Sequence, residues 1–348
     1  MKHIFTIAAL ICSLSGFSTT ITVSNLITSP AQYNNLQAAC DAAQPNDTIQ
    51  IYGSNTAYGA LFVNKTLHLI GSGFGNTFST FCPEIYLQPG SDGSTFSGLR
   101  INFISPNTSN NLSNYIFEFC LIEVVNLVTS FSNVIIKNCI INNGISGLVD
   151  DDGILISNNI FTVNSANAPG EVFLTNGGTF NSQPGALPVI IQNNLFLGNL
   201  NFLGSNFTMI NNVFANVNEI YTTSAFPSSC WGCVFQNNLS YCSTCVLDSI
   251  DGATLSNNIE NQPDPFISNL PNLFNSDFNL NASSLGNNFG TDGNDVGIFG
   301  GPFPFPAGSQ YGGLLLGLPI ITFFNILNPV IQENGQLQIQ GTSTIPSN

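Results

Sequence analysis

The chain has 348 residues, of which 4 are Lys or Arg and 19 are Asp or Glu, for a formal charge of −15. No basic residue follows Lys137, so there is little to displace the counterions of a nucleic acid, and nucleic acid is excluded as a partner. Only 7% of residues are charged while 43% are hydrophobic, which excludes a disordered acidic tail and leaves enough apolar side chain for a substantial core.

The first 18 residues have the form of a secretory signal peptide: Lys2 and His3, an apolar run from Ile4 to Leu14, then small residues through Ser18. Export to the cell surface or the extracellular space is expected, in a setting where disulfides persist. No transmembrane span is expected, because the apolar stretch 314–327 is too short and is broken by Pro319. The next segment, YNNLQAACDAAQPNDTIQIYG, predicts a short helix from about Asn34 to Ala43, then a turn and the first strand. This forms a cap over about 30–48 that covers an open sheet edge.

From there the chain repeats. The blocks YIFEFCLI (115–122), VIIKNCII (134–141), ILISNNIF (154–161), VIIQNNLF (189–196), FTMINNVF (207–214), CVFQNNLS (233–240) and ATLSNNIE (253–260) are one rung, with looser versions in TLHLIGSG (66–73) and STFSGLRI (94–101). Place three is always apolar (Phe117, Ile136, Ile156, Ile191, Met209, Phe235, Leu255) and place four is polar in all but Ile210. Such alternation is a strand with places one and three inward. Successive rungs begin 19, 20, 35, 18, 26 and 20 residues apart, the period of a solenoid whose coils stack. About one residue in seven is Asn. The paired Asn residues suit a left-handed bend, and inward amides of stacked coils can bond one another in a ladder. Cys120 and Cys139 take the place that Asn holds in later rungs, so they are expected as buried substitutes, with a bridge between them open.

The run LQAACDAAQPNDTIQIYGSNTAYGALFVNKTLHLIGSG, the rungs, and the ending DFNLNASSLGNNFGTDGNDVGIFGG together resemble secreted bacterial proteins of the pectate-lyase-like superfamily, from about Thr19 to Gly301. The resemblance implies an all-β fold, a right-handed parallel β-helix with a short N-terminal capping helix. It implies no reaction, because that superfamily holds lyases, hydrolases and adhesins.

Two Cys-x-x-Cys pairs, Cys230/Cys233 and Cys242/Cys245, have metal-like spacing. Yet Cys233 takes an inward place in its rung, and about 13 Å of strand separates it from the next bend. Disulfides within or between neighbouring coils are the expected reading, with free thiols or a metal as alternatives. Cys40 and Cys82 are a further candidate pair.

Chemistry is sparse. His68 alternates outward between Leu67 and Leu69, Lys137 faces Glu118 one coil away, and Arg100 stands alone, so the cations that neutralise a uronate carboxylate are scarce. Asp150, Asp151 and Asp152 form the one dense carboxylate cluster, read as an acidic turn, with calcium binding and glycosidic catalysis as alternatives. Asp292, Asn294 and Asp295 resemble part of a calcium loop without its full spacing, and a tight turn closing the last coil is expected there. No other cofactor is implied. Two coils carry insertions, 164–188 and 219–233, expected as loops on one face, and the second brings Tyr221, Phe226 and Trp231 as a candidate sugar-stacking surface.

The tail 302–348 is Pro-rich and then alternates as PIITFFNI and GQLQIQG, which predicts two strands. The functional expectation is an exported, monomeric, non-catalytic scaffold that binds neutral polysaccharide or a cell-surface glycan, or mediates adhesion. The alternative is a polysaccharide-cleaving enzyme, a calcium-dependent lyase or glycoside hydrolase.

Overall fold

A computed structural model of the chain describes residues 18–29, 31–74, 79–127, 131–146, 153–162, 171–175, 189–197, 199–203, 207–215, 220–221, 232–241, 250–260, 262–268, 277–305, 320–326 and 339–344. The rungs stack as a parallel β-helix. Its first sheet has eleven strands in strict chain order, from Thr20–Val23 and Asp47–Ile51 to Val234–Gln236 and Thr254–Ser256. Register holds the repeat in line: Phe96, Phe117, Ile136, Ile156, Ile191, Met209 and Phe235 are successive partners, and every one of them is fully buried. Phe96 and Phe117 stack at 5.0 Å, as do Phe161, Phe196 and Phe214 at 4.7 and 5.0 Å on the opposite wall.

The bend between the walls explains the double Asn. The Asn at place five of the rung adopts positive φ, 51° to 58° at Asn138, Asn158, Asn193, Asn211, Asn237 and Asn257, a region that Asn tolerates better than other residues with a Cβ. The second Asn points inward and builds the expected ladder. Asn159 donates its amide to Asn194 Oδ1 at 3.0 Å, Asn194 to Asn212, Asn212 to Asn238 and Asn238 to Asn258, each at 3.0 Å. Each Oδ1 also accepts the backbone N–H of the preceding Asn, and Cys139 N–H donates to Asn159 Oδ1 at 2.9 Å. Buried polar groups are tolerable only when paired in this way.

The second sheet has twelve strands and forks. Its early members are continuous: Leu61–Val63, Phe81–Leu87, Arg100–Pro106, Leu121–Asn126 and Ile140–Ser146. Beyond Ile140–Ser146 the first half continues as Ile160–Phe161, Leu195–Phe196, Val213–Ala215 and Leu239–Tyr241. The second half continues as Glu171–Thr175, Asn199–Leu203 and Ile220–Tyr221. Both insertions are therefore more than loops, because each contributes a strand to this sheet.

The capping helix, Leu36–Ala42, has Asn35 as its N-cap, whose side chain accepts from Ala38 N–H at 2.9 Å. Its face of Leu36, Ala39 and Cys40 is buried. The chain does not begin its sheet after the helix, however: Thr20–Val23 precedes it and pairs parallel to Asp47–Ile51 as the edge strand.

The C-terminal part departs most from expectation. Residues 286–305 do not close the last coil but run back along the column as a strap over the Asn bends. Asn237 Nδ2 donates to Phe289 O, Asn211 exchanges bonds with Thr291, Asn193 donates to Gly297 O, Asn158 to Ile298 O and Gly300 O, and Asn138 to Phe303 O. Under the strap and the hairpin Phe266–Ser268/Asp277–Leu280 lies a second apolar cluster. There Ile140, Ile160, Leu195, Val213 and Leu239 pack with Phe266, Phe278, Val296 and Ile298. These five hold place seven of their rungs, which faces away from the main core. Among the tail residues, Ile320–Ile326 and Ile339–Thr344 pair antiparallel.

Candidate functional site

The long strands of the second sheet share a local irregularity. Two residues rather than one stand between consecutive inward side chains: Pro83 and Glu84 between Cys82 and Ile85, Asn102 and Phe103 between Ile101 and Ile104, Glu123 and Val124 between Ile122 and Val125. Two adjacent side chains thus leave the core on the same side, and the strand bends. At Glu123 the register slips as well, so that one residue faces both Asn142 and Asn143. Glu123 Oε1 accepts from Asn142 Nδ2 at 2.8 Å and Oε2 from Asn143 Nδ2 at 3.5 Å.

Past the bend the pleat resumes and a single outward row runs along the column. Phe62, Tyr86 and Ser105 are register partners, followed by Asn126 and Ser146. Phe62 and Tyr86 stack at 4.9 Å with planes 17° apart. The other face of Tyr86 has only the short Ser105 side chain as its next neighbour in the row. Tyr86 OH donates to Glu84 Oε2 at 3.1 Å, and this bond holds its phenol above the usual value. Ser146 Oγ donates to Asn126 Oδ1 at 3.2 Å. This row, here termed the trough, runs from the aromatic pair over Ser105, which is buried with its hydroxyl donating to Pro106 O at 3.2 Å, to Asn126 and Ser146, with Glu84, Phe103, Glu123 and the two amides alongside.

The basic residues are engaged elsewhere. Lys65 Nζ donates to the carbonyls of Asp41 and Ala43 at the end of the helix, at 3.0 and 3.1 Å. Arg100 lies 4.8 Å from the centre of the Phe81 ring. Lys137 pairs with Glu118 at 2.9 Å, as the rung register requires, and sits 4.7 Å from the Phe303 ring on the strap. His68 does face outward, with Nδ1 2.9 Å from Thr95 Oγ1.

Of the residues singled out from the sequence, Asp150, Asp151, Asp152, Phe226, Trp231, Cys230, Cys242 and Cys245 lie outside the described residues. The backbone of Tyr221 lies on the register line of Glu84, Phe103, Val124, Gly144, Phe173 and Asn201, which places this candidate on the same sheet as the trough. Asp292 accepts from Asn294 N–H and Nδ2, and Asp295 from Asn288 N–H; these bonds shape the strap's own turn. Among the described residues no three His, Cys, Asp or Glu side chains converge on a metal position.

Cys233 is buried as its rung place requires and is disulfide-bonded, its partner lying outside the described residues. Cys40 and Cys82 are not bridged: both are buried free thiols, pushed up by burial, Cys40 to about 12. The helix and the strand each bury their own cysteine in the core, and burial is the largest cause in both, with Asp41 adding to it at Cys40 and the neighbouring Cys40 and Cys120 at Cys82.

Phe62 and Tyr86 escaped the sequence reading because their strands lie outside the rung blocks. A signal was present: in LFV and IYL an aromatic sits between two aliphatic residues, which under a two-residue period turns the ring outward.

No family model matches this chain, and no curated protein does. Among solved structures, pectate lyase Pel9A is similar with a TM-score of 0.43 and 14% identity, over 81% of this chain and 96% of that one. An alginate lyase from Paenibacillus sp. str. FPU-7 is similar with a TM-score of 0.34 and 12% identity, over 70% of this chain and 96% of that one. By its own strand order and register, this chain folds as a parallel β-helix.

Proposed function

We propose that this chain is an exported, non-catalytic β-helix that binds a neutral polysaccharide along the outward trough of its second sheet. The observation that carries this reading is the Tyr86 ring, stacked on Phe62, tethered to Glu84 and standing at the head of a row of short polar side chains. A pyranose has an apolar face that stacks on an aromatic ring and a rim of hydroxyls that needs donors and acceptors. Tyr86 supplies the first, and Asn126, Ser146, Glu123, Asn142 and Asn143 supply the second. These groups ride on stacked strands about 4.8 Å apart, so little ordering is left to be done when a glycan docks. The engagement of Lys65, Arg100 and Lys137 elsewhere favours a neutral chain over a uronate.

The test is retention of the full chain on a panel of insoluble neutral and uronic polysaccharides, with and without chelator, and with the supernatants analysed for cleaved products. Retention by a neutral polysaccharide, insensitive to chelator and without cleavage, is expected. Tyr86→Ala should weaken it about tenfold, the worth of one aromatic stacking contact. Retention unchanged in Tyr86→Ala rejects the trough, and a loss in Trp231→Ala alone moves the site to the second insertion. Chelator-sensitive cleavage replaces this reading with an enzyme, for which Asp150 to Asp152 become the first residues to substitute.

A further inference from the structure

Cys120 and Cys139 hold the same place in consecutive rungs and lie directly opposite each other. The pairs on either side, Glu118 with Lys137 and Leu121 with Ile140, are register partners, and Ile140 N–H donates to the Cys120 carbonyl at 2.9 Å. Neighbouring strands run about 4.8 Å apart, inside the range of roughly 4.4 to 6.8 Å between Cα atoms that a disulfide spans. Both side chains are fully buried free thiols, and Cys120 is among the neighbours that push the Cys139 thiol up, after burial itself. From Asn159 onward the same place carries an amide that ties each coil to the next. Here the thiols reach carbonyls instead, Cys120 Sγ to Glu118 O at 3.2 Å and to Phe96 O of the preceding coil at 3.6 Å, and Cys139 Sγ to Lys137 O at 3.3 Å.

We propose that Cys120 and Cys139 close into a disulfide when the chain folds in an oxidising compartment, so that a covalent bond ties two coils where the amide ladder stops. The oxidant is a small-molecule disulfide such as glutathione disulfide. One cysteine thiolate attacks it and expels a glutathione thiolate. The second cysteine thiolate then attacks the mixed disulfide and expels the other. Two thiols and one disulfide become one protein disulfide and two glutathione thiols, which take up the two protons. The exchange belongs to folding, before the coils close. Burial, and then the neighbouring thiol, push Cys139 well above the ordinary thiol range afterwards, and a buried thiol seldom presents a thiolate.

Trypsin makes the bond easy to read. It cuts after Arg100 and Lys137, which leaves Cys120 as the sole cysteine of the peptide 101–137 and puts Cys139 in the peptide that follows. The full chain is refolded in a glutathione redox buffer, quenched in acid, alkylated under denaturing conditions and digested. The peptide 101–137 should stay attached to the following peptide until reductant is added. In Cys139→Asn, which extends the amide ladder by one rung, it should appear free and alkylated. Release of 101–137 from the wild-type protein without reductant overturns the proposal, as does its continued attachment in Cys139→Asn. Should that variant fail to fold, Cys120→Ser serves in its place: the peptide carrying Cys139 should then gain one alkylated thiol, and its absence rejects the pairing.

Discussion

The early coils and the late coils are written in the same rung, yet they are held together differently. In the late coils, from Asn159 onward, the place after the bend is an amide, the ladder is continuous, and the outward residues Ile160, Leu195, Val213 and Leu239 are sealed beneath the strap. In the early coils that place is Leu99, Cys120 and Cys139, the bend at Phe119 is made by a bulky residue at φ 51°, and the second sheet keeps long strands whose outer face carries Phe62, Tyr86 and Glu84. The contrast teaches that a solenoid can divide its labour. Polar tethering and external cover stabilise one half, while the other carries on its outer face the aromatic pair to which we assign ligand binding.

The largest expected effect comes from breaking the ladder. Asn212→Leu leaves the Asn194 backbone N–H without its acceptor, takes one of three acceptors from the Asn194 side-chain amide, and removes the donors to Ile191 O and Asn238 Oδ1, at a cost of about 3 kcal/mol. Denaturant unfolding should register the loss, and a cost under about 1 kcal/mol would mean the ladder is incidental. Ile298→Asp places a carboxylate against the apolar row under the strap and should cost about 3 kcal/mol or slightly less. Hydrogen exchange should quicken at Asn158, Asn193 and Asn211 while the early coils and polysaccharide retention stay as they were. Loss of retention in this variant would deny that the two halves are separable. The smallest effect has the opposite sign. Phe119→Asn restores the residue that the later bends use, and relief of left-handed strain should stabilise by about 1 kcal/mol. An unchanged unfolding midpoint would show that Phe119 gains enough from packing to offset that strain.

Much of this was legible because the information repeats. The paired Asn residues announced both the left-handed bend and the ladder, and the spacing of Glu118 and Lys137 announced their ion pair at 2.9 Å. The strap was not legible as a strap: Asn138 meets Phe303 across 165 residues, and nothing near either residue marks the other. Its trace was the apolar side chain at place seven beside another at place eight, which a two-residue period cannot both bury in one core. The trough was missed for a related reason. Its bend arises where Pro83 and Glu84, Asn102 and Phe103, and Glu123 and Val124 come into line, and that alignment exists only once the coils are stacked.

The sequence alone therefore determined the column: strand alternation, bend residues and coil period are local properties, and each rung states them again. Which outward faces are covered and which stay open was decided only by tertiary structure. A side chain that leaves the core is sealed or solvated according to what the distant C-terminal segment lays over it, and that choice is made by contacts between residues far apart along the chain.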